Sequence, residues 1–192
     1  MKKQPEVTAK TRKRLMDSFW SLYCEKGMET ITVGAVAKMA ELNRGTFYEY
    51  FTDLYDLLNQ MEDDLLTDLQ EQIGKTFPDG IPRDFLSFTH SCAHIFSLYD
   101  DTLYILLSER GDPAFASKLK QKMFPVLSSN FGFSEQDAHL EYMITFAFSA
   151  MIGMLNLWYK KGKAMRIDEL FQMMQSLVAN GVLGYTKKQI FE

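Results

Sequence analysis

Residues 32–51 read TVGAVAKMAELNRGTFYEYF, and this stretch decides the fold of the N-terminal part of the chain. Thr32 and Asn43 are favourable helix N-caps, because their side-chain oxygens accept hydrogen bonds from the first free amides of a helix. The pattern predicts two short helices, roughly Val33 to Ala40 and Arg44 to Phe51, joined by a tight turn. This arrangement is typical of a helix-turn-helix, whose second helix enters the major groove of DNA.

A helix is predicted on each side of this stretch. From about Thr8 to Lys26 apolar residues recur at helical spacing, and Gly27 follows as a C-terminal cap. Asp53 opens a long helix, to about Lys75, in which leucines keep the helical period. We therefore predict a helix-turn-helix domain over 1–52 and a C-terminal regulatory and dimerisation domain over 53–192, with 53–75 as a connector helix.

The composition predicts an all-α protein. Hydrophobic residues make up 46% of the chain, prolines number only 5 and glycines 11, and sustained period-2 runs of β-branched residues are absent from the sequence. About nine helices are expected, with a clear break at 77–82. Ser134 to Asp137 resemble a capping box that starts a later helix, and Pro125 and Gly162 are further punctuation.

The charge is distributed unevenly along the chain. The net charge is -4, but residues 1–51 carry nine basic and six acidic side chains, so that this segment is +3 and the remainder is -7. Phosphate contacts need local positive charge, and the asymmetry has the sign that DNA binding requires. A solvated basic N-terminus would give the same charge if it stood alone.

The cysteines and the N-terminus indicate the compartment. Cys24 and Cys92 are too few and too far apart for a disulfide framework, which favours a reducing environment. Met1 to Arg14 is polar and basic and lacks the apolar core of a signal peptide. We therefore expect a cytoplasmic protein.

The second helix of the motif has two chemically distinct faces. Phe47 and Phe51, four residues apart, are expected to pack inward. Arg44 stands in the first turn, where a guanidinium reaches guanine O6 and N7. The remaining outward residues are expected to approach the backbone or bases, and with the two caps they complete the predicted DNA-binding set: Thr32, Asn43, Arg44, Gly45, Thr46, Tyr48 and Tyr50.

These residues resemble those of the tetracycline-repressor-like (TetR/AcrR) family of bacterial transcriptional regulators. The resemblance covers Lys10 to about Leu58 and runs through the following positions: Gly27, Thr32, Val36, Ala37, Ala40, Leu42 to Tyr48, Phe51, Asp53, Leu57 and Leu58. It implies a homodimeric repressor whose C-terminal lobe binds a small effector and releases operator DNA.

The chain departs from the family pattern at two positions. Glu41 stands where the turn usually has Gly, and a non-Gly residue in the left-handed conformation costs about 1 kcal/mol or more. Leu54 stands where the family usually has a Lys that contacts phosphate. We expect affinity to depend correspondingly more on Lys10, Arg12 and Arg14.

Tyr142 to Tyr159 contains no charged residue over eighteen positions. Such a helix reaches the length of a membrane span, but polar and small residues dilute it. Burial between two protomers is the preferred interpretation, together with a last helix from about Ile167 to Asn180. The expected dimer contacts are Ala147, Ala150, Gly153, Met154 and Leu157.

Aromatic residues and Met crowd 83–130 and are equally suited to a core and to a pocket for an apolar ligand. The residues expected to contact an effector are Phe88, Phe96, Tyr99, Tyr104, Phe115 and Met123. The effector itself is not identified by the sequence. His90 and His94 have a spacing that suits a metal, but Ser91 follows the first and the metalloprotease pattern is absent.

Neither a metal nor a cofactor is expected, and the expected partners are duplex DNA, a second copy of the chain and a small effector. A TetR-like co-regulator that acts mainly through protein partners is the alternative, because Glu41 and Leu54 both weaken the DNA-binding pattern. An enzyme has little support, since the sequence marks no nucleophile and base by motif.

Overall fold

The computed structural model describes residues 5–78, 85–108, 111–131 and 138–191, and this part of the chain is all-helical, as predicted. Eight α-helices are present in it, and a short 3₁₀ turn, Met28–Thr30, follows the first. The helices are α1 Pro5–Lys26, α2 Val33–Met39, α3 Arg44–Tyr48, α4 Leu54–Thr76, α5 Phe85–Leu107, α6 Phe115–Phe131, α7 Ala138–Lys160 and α8 Ile167–Phe191.

The chain forms two compact units that divide within α4. The N-terminal unit extends to Thr67 and the C-terminal unit begins at Asp68. The first half of α4 thus belongs with the helix-turn-helix, and its second half belongs with the C-terminal helices. One helix contributes to both hydrophobic cores.

The N-terminal unit has a small aromatic and aliphatic core. Phe19, Phe47 and Phe51 are almost completely buried, and the rings of Phe47 and Phe51 lie 5.5 Å apart. The inward face predicted for α3 is therefore confirmed. Gly27 ends α1 with a φ of 73°, a left-handed conformation that glycine adopts without steric cost, and its amide donates to the carbonyl of Tyr23.

The start of α4 is fixed by two carboxylates. Asp53 accepts a hydrogen bond from the amide of Asp56 at 2.8 Å, and Asp56 in turn accepts one from the amide of Thr52 at 2.8 Å. The bond from the Thr52 amide, followed by one from the Gln60 side chain, holds the pKa of Asp56 below its usual value, because both favour the charged carboxylate. The helix begins where the sequence predicts because each side chain satisfies an otherwise free amide.

In the C-terminal unit, α5 packs against α6, α7 and α8. Phe96 of α5 lies in an aromatic cluster, with its ring 5.6 Å from that of Phe171 and 6.4 Å from that of Trp158. The Tyr159 hydroxyl donates to the Asp100 carboxylate at 2.7 Å. The residues that hold these helices together are distant in sequence.

Some helices differ in detail from the prediction, and α3 ends at Tyr48 and not at about Phe51. α8 continues past Asn180 to Phe191, with an interruption at Gly181, whose φ of 67° and ψ of 167° are not helical. This interruption divides the described part of the chain into nine helical segments. Pro125 lies inside α6 without ending it. The predicted capping box at 134–137 and most of the predicted break at 77–82 lie outside the described residues.

α7 contains a segment that satisfies the length and composition of a membrane span, Glu141–Lys160, with a mean hydropathy of 1.3. Only 22% of this window is buried within the protomer. A single such helix is weak support for a membrane protein, since core helices of soluble proteins pass the same test of length and composition. Most of this apolar window is therefore left exposed by the chain itself.

Candidate nucleic-acid interface

Both predicted N-caps of the helix-turn-helix are confirmed. The Thr32 hydroxyl accepts a hydrogen bond from the amide of Ala35 at 3.1 Å. Asn43 Oδ1 accepts two, from the amide of Thr46 at 2.8 Å and from the Thr46 hydroxyl at 3.1 Å. The first turn of α3 is thereby stabilised, and the Thr46 hydroxyl already donates its hydrogen to Asn43.

The turn between α2 and α3 is a Schellman motif. The Leu42 amide donates to the Ala37 carbonyl at 2.8 Å, and the Glu41 amide donates to the Lys38 carbonyl at 3.1 Å. Glu41 occupies the left-handed position, with a φ of 53°. The turn therefore keeps the geometry normally supplied by glycine and carries the strain of a side chain there.

Arg14 of α1 points at this turn. Its Nη2 donates to the Ala40 carbonyl at 2.6 Å and to the Glu41 carboxylate at 3.0 Å. Arg14 was predicted from the sequence as a contributor to DNA affinity, and in the structure its guanidinium is engaged with the end of α2.

Arg12 is also engaged within the N-terminal unit. Its guanidinium donates to Asp64 at 3.0 Å and to Gln60 at 3.1 Å, both on α4, and lies 5.9 Å from the centre of the Phe51 ring. Arg12 thus connects α1 to the connector helix and covers the core at the end of the motif.

Three cations of the N-terminal unit are exposed and form no ion pair with the residues that the structure describes: Lys10, Lys38 and Arg44. By contrast, Lys13 pairs with Asp17 at 2.7 Å along α1. Lys10 and Arg44 belong to the DNA-binding set predicted from the sequence, whereas Lys38 contributes there only to the net charge. Its exposed position on α2, one turn before the turn residue, was the available signal.

The side chain of Arg44 lies against the backbone of Gly34 in α2. A Cβ added to Gly34 would lie 2.8 Å from Nε and 2.9 Å from Cζ of Arg44, which is closer than side chains approach each other. A glycine at this position therefore provides the flat surface on which the guanidinium rests. The sequence alone gave no sign of this contact.

The other predicted outward residues differ in exposure. Tyr48 is 59% exposed, and Gly45 is exposed at the start of α3. Tyr50 is half-buried, with its ring 6.4 Å from that of Phe51. Tyr48 is thus the tyrosine best placed to reach a bound molecule, whereas Tyr50 also supports the core.

The five predicted dimer contacts lie along α7 and are all at least partly exposed. Leu157 is 54% exposed, and Gly153 is exposed beside it in the helical repeat. Toward the start of the helix lie further exposed apolar residues that the sequence analysis does not single out: Tyr142 at 79%, Met143 at 56% and Phe146 at 67%. Together with the five predicted contacts they form an apolar stripe along α7.

A cavity of about 560 Å³ lies in the C-terminal unit between α5 and the segment that joins α7 to α8. Its lining combines Phe96 and Trp158 with the charged side chains of Asp100, Lys163, Arg166 and Glu169. Lys163 pairs with Asp100 and lies 5.6 Å from the centre of the Trp158 ring. Of the predicted effector contacts, Phe96 lines this cavity.

The other predicted effector contacts lie elsewhere. Phe115 and Met123 are buried in the core, and Tyr104 is 44% exposed with its ring 4.7 Å from that of Tyr159. The Tyr99 hydroxyl donates to Asp68 of α4 at 2.8 Å, and burial, followed by this bond, raises the pKa of Tyr99 to about 12. The side chain of Phe88 lies outside the described residues.

His90 and His94 are both exposed on α5. The described residues contain no group of three or more His, Cys, Asp or Glu side chains that could hold a metal ion.

Comparison with known proteins gives matches along most of the chain. The sequence model of bacterial regulatory proteins of the tetR family matches residues 16–61, and that of a transcriptional regulator C-terminal region matches residues 84–180. The HTH-type transcriptional regulator HbdR of Aromatoleum sp. (strain CIB) is 27% identical over 86 residues, or 45% of this chain and 34% of that protein. The match to HbdR thus spans about a third of its length.

Solved structures share the fold over nearly their full length. A TetR transcriptional regulator from Streptococcus agalactiae 2603V is 22% identical with a TM-score of 0.66, over 90% of this chain and 96% of that one. Thermus thermophilus FadR, a TetR-family repressor solved with lauroyl-CoA, is 19% identical with a TM-score of 0.56, over 89% and 94%. The C-terminal model alone spans half of the sequence, and the chain belongs to the TetR family of bacterial transcriptional regulators.

Proposed function

We propose that this regulator is a homodimeric repressor that binds a palindromic operator through α3 and leaves it when a small effector binds the C-terminal unit. The observation that carries the proposal is the state of Arg44. It is exposed in the first turn of a helix capped by Asn43, rests on Gly34 and forms no ion pair with the described residues. A guanidinium in that state is available to a guanine edge.

The surrounding residues supply the contacts that position α3 on DNA. Lys10 and Lys38 are exposed and available to phosphates, and the Tyr48 hydroxyl is a donor for a phosphate oxygen. Gly45 lets the backbone approach closely, and the Thr46 hydroxyl oxygen still has acceptor capacity. Thr32 and Asn43 act through their caps, which hold the two helices in register. As a DNA-binding regulator of a bacterial family, the protein is expected to act in the cytoplasm.

The apolar stripe of α7 supports the homodimer. Tyr142, Phe146 and Leu157 are each more than half exposed in one protomer. Contiguous apolar surface of this kind marks an interaction site, and a two-fold axis pairs the stripe with itself. Two α3 helices related by such an axis read a palindrome when they are about 34–36 Å apart.

The effector is expected to act through α4, because this helix contributes to both compact units. A ligand that favours one position of α4 changes the population of the DNA-binding arrangement. The C-terminal cavity has aromatic side chains for an apolar ligand, and an acidic group on that ligand could bind Lys163 or Arg166 by replacing their present partners, Asp100 and Asp168. Lauroyl-CoA, the ligand of the Thermus thermophilus structure, is a reasonable first probe.

The proposal is tested in two measurements on the full chain. Sedimentation at micromolar concentration should give a dimer, and fluorescence anisotropy with a duplex selected from a random pool should give an affinity that falls steeply with salt. An effector probe should then lower that affinity. A monomer, or binding to DNA that does not depend on salt or sequence, would contradict the proposal, and the latter outcome would favour a co-regulator that acts through proteins.

A further inference from the structure

The turn before the recognition helix has an unusual combination of residues. Glu41 is held in the left-handed conformation, with a φ of 53°, and the only other non-glycine residue with positive φ in the described residues is Lys163. Arg14, from a different helix, donates at once to the Ala40 carbonyl and to the Glu41 carboxylate. The backbone and the side chain of the strained turn are thus both held by one guanidinium.

We propose that Arg14 is a positioning residue, which holds Glu41 in the turn and so sets the direction of α3, and is not a phosphate contact. The inference rests on the proposed function, because the readout is operator binding. It assigns different roles to the cations of the N-terminal unit. Arg14 fixes the geometry of the turn, whereas Lys10, Lys38 and Arg44 contact DNA.

The first argument is the location of the two hydrogen bonds. The Ala40 carbonyl belongs to the C-terminal end of α2, where the last carbonyls lack intrahelical donors and a cation is favoured by the helix dipole. Its bond to Arg14 Nη2 is partly buried and measures 2.6 Å. Moving Arg14 to a phosphate would leave this carbonyl without that donor.

The second argument is the charge of Glu41. This side chain is 85% exposed only two residues before the cap of α3, and its carboxylate would repel the phosphates of a bound duplex. The guanidinium of Arg14 neutralises it at 3.0 Å. Arg14 can do this only if it stays on the turn when DNA binds.

The third argument is that the strained residue, Glu41, lies close to the start of α3. Glu41 is separated from the Asn43 cap by Leu42 alone, and Arg44 follows directly. A change in the conformation of Glu41 therefore changes the direction in which α3 starts. Glycine adopts the left-handed conformation without this cost, so that a glycine at position 41 would make the clamp unnecessary.

The test is a double-mutant cycle in the full-length protein with a selected operator duplex. Arg14→Gln, Glu41→Gly and the double variant are compared with the unmodified protein by anisotropy at several salt concentrations. Arg14→Gln should weaken operator binding about tenfold with Glu41 present, a factor that matches the cost of one left-handed residue. With Gly at position 41 the same substitution should weaken binding by less than about threefold.

The salt dependence separates positioning from phosphate contact. Loss of one phosphate contact lowers the slope of log affinity against log salt by about 0.9. With Gly at position 41, where no carboxylate is left unpaired, Arg14→Gln should leave this slope nearly unchanged, whereas Lys10→Gln, the matched loss of an α1 cation, should lower it by about that amount per half-site. Lys13→Gln, which breaks only a pair within α1, should change neither affinity nor slope.

The outcomes are distinct. If Arg14→Gln lowers the slope as Lys10→Gln does and costs the same with Glu or Gly at position 41, Arg14 contacts phosphate and the inference is wrong. If the unmodified protein itself shows no salt-dependent operator binding, the proposed function fails instead. The double variant has Gly at position 41 and does not need the Arg14 bonds to hold the turn. Its operator binding therefore tests the inference even if Arg14→Gln alone loses its fold by circular dichroism.

Discussion

The two units of the protein are stabilised in different ways. In the N-terminal unit the hydrogen bonds that shape the helix-turn-helix itself join residues three to five positions apart, as in the caps at Thr32 and Asn43 and the turn at Glu41, and Arg12 and Arg14 add bonds between helices. In the C-terminal unit the hydrogen bonds join distant segments, such as Tyr159 with Asp100. The N-terminal unit also presents exposed cations, whereas the C-terminal unit presents an exposed apolar stripe. The difference suggests that the first unit has a surface for DNA and the second has a surface for another copy of the chain.

The largest effect is expected from a charge placed in the α7 stripe. Phe146→Glu puts a carboxylate on a side chain that is 67% exposed in the protomer and is buried in the proposed dimer. Sedimentation should give a monomer, and operator affinity should fall more than about 100-fold, because the second half-site loses its effective concentration.

Leu98→Glu is the matched control for this substitution. Leu98 is 54% exposed in the same unit but lies on α5, outside the stripe. This variant should remain a dimer with unchanged affinity. If Phe146→Glu remained a dimer, the assignment of the α7 stripe as the dimer surface would be wrong.

The next effect distinguishes a cation that contacts bases from one that contacts phosphates. Arg44→Ala should weaken binding to the selected operator about tenfold or more per half-site and leave binding to unrelated duplex much less affected, because a base contact carries specificity. Lys38→Ala should weaken both kinds of binding equally, as a phosphate contact does. Competition anisotropy with the two duplexes measures the ratio, and an unchanged ratio for Arg44→Ala would rule out its base-reading role.

A smaller effect is expected at Gly34. Gly34→Ala removes the flat surface under the Arg44 guanidinium while it improves helix propensity in α2. We expect a slightly higher melting temperature and an operator affinity lower by about threefold, since Arg44 is then less ordered before binding. With Arg44→Ala already present, Gly34→Ala should no longer change affinity. A loss of affinity in that background would show that Gly34 acts independently of Arg44.

The smallest effect is the acid dependence of the N-terminal unit. The pKa of Asp56 is held below its ordinary value by hydrogen bonds from Thr52 and Gln60 that exist only in the folded state. Its contribution to stability is therefore present above that value and is lost as the pH falls through the folded pKa. Asp56→Asn should flatten the loss of stability of the unit as the pH falls below about 4, the ordinary pKa of Asp, in urea unfolding, and an identical pH profile for both proteins would contradict this account.

The same contrast explains what the sequence could predict. The caps at Thr32 and Asn43, the end of α1 at Gly27 and the inward face of α3 depend on residues within one or two helical turns, and these predictions are confirmed. The contacts of Arg14 with the turn and of Arg44 with Gly34 join different helices. Local sequence patterns do not predict such contacts. The sequence could therefore identify Arg14 as a cation but could not show which groups its guanidinium binds.

The C-terminal unit was predictable only in outline. Its helices and the uncharged α7 follow from periodicity and composition. Which aromatic residues face a cavity depends on how α5 meets the segment between α7 and α8, and this is set by pairs such as Lys163 with Asp100 that are far apart in sequence. Phe96 and Phe115 look alike in the sequence, but one lines the cavity and the other is buried in the core.

The central claim is that two copies of α3 read one DNA site as a pair. Selection of bound sequences from a random duplex pool, with the full-length protein at moderate salt, tests it most directly. The account predicts enrichment of a palindrome whose half-sites are centred about one helical turn, or a multiple of it, apart. Enrichment of a single unpaired half-site, or no enrichment at all, would contradict it.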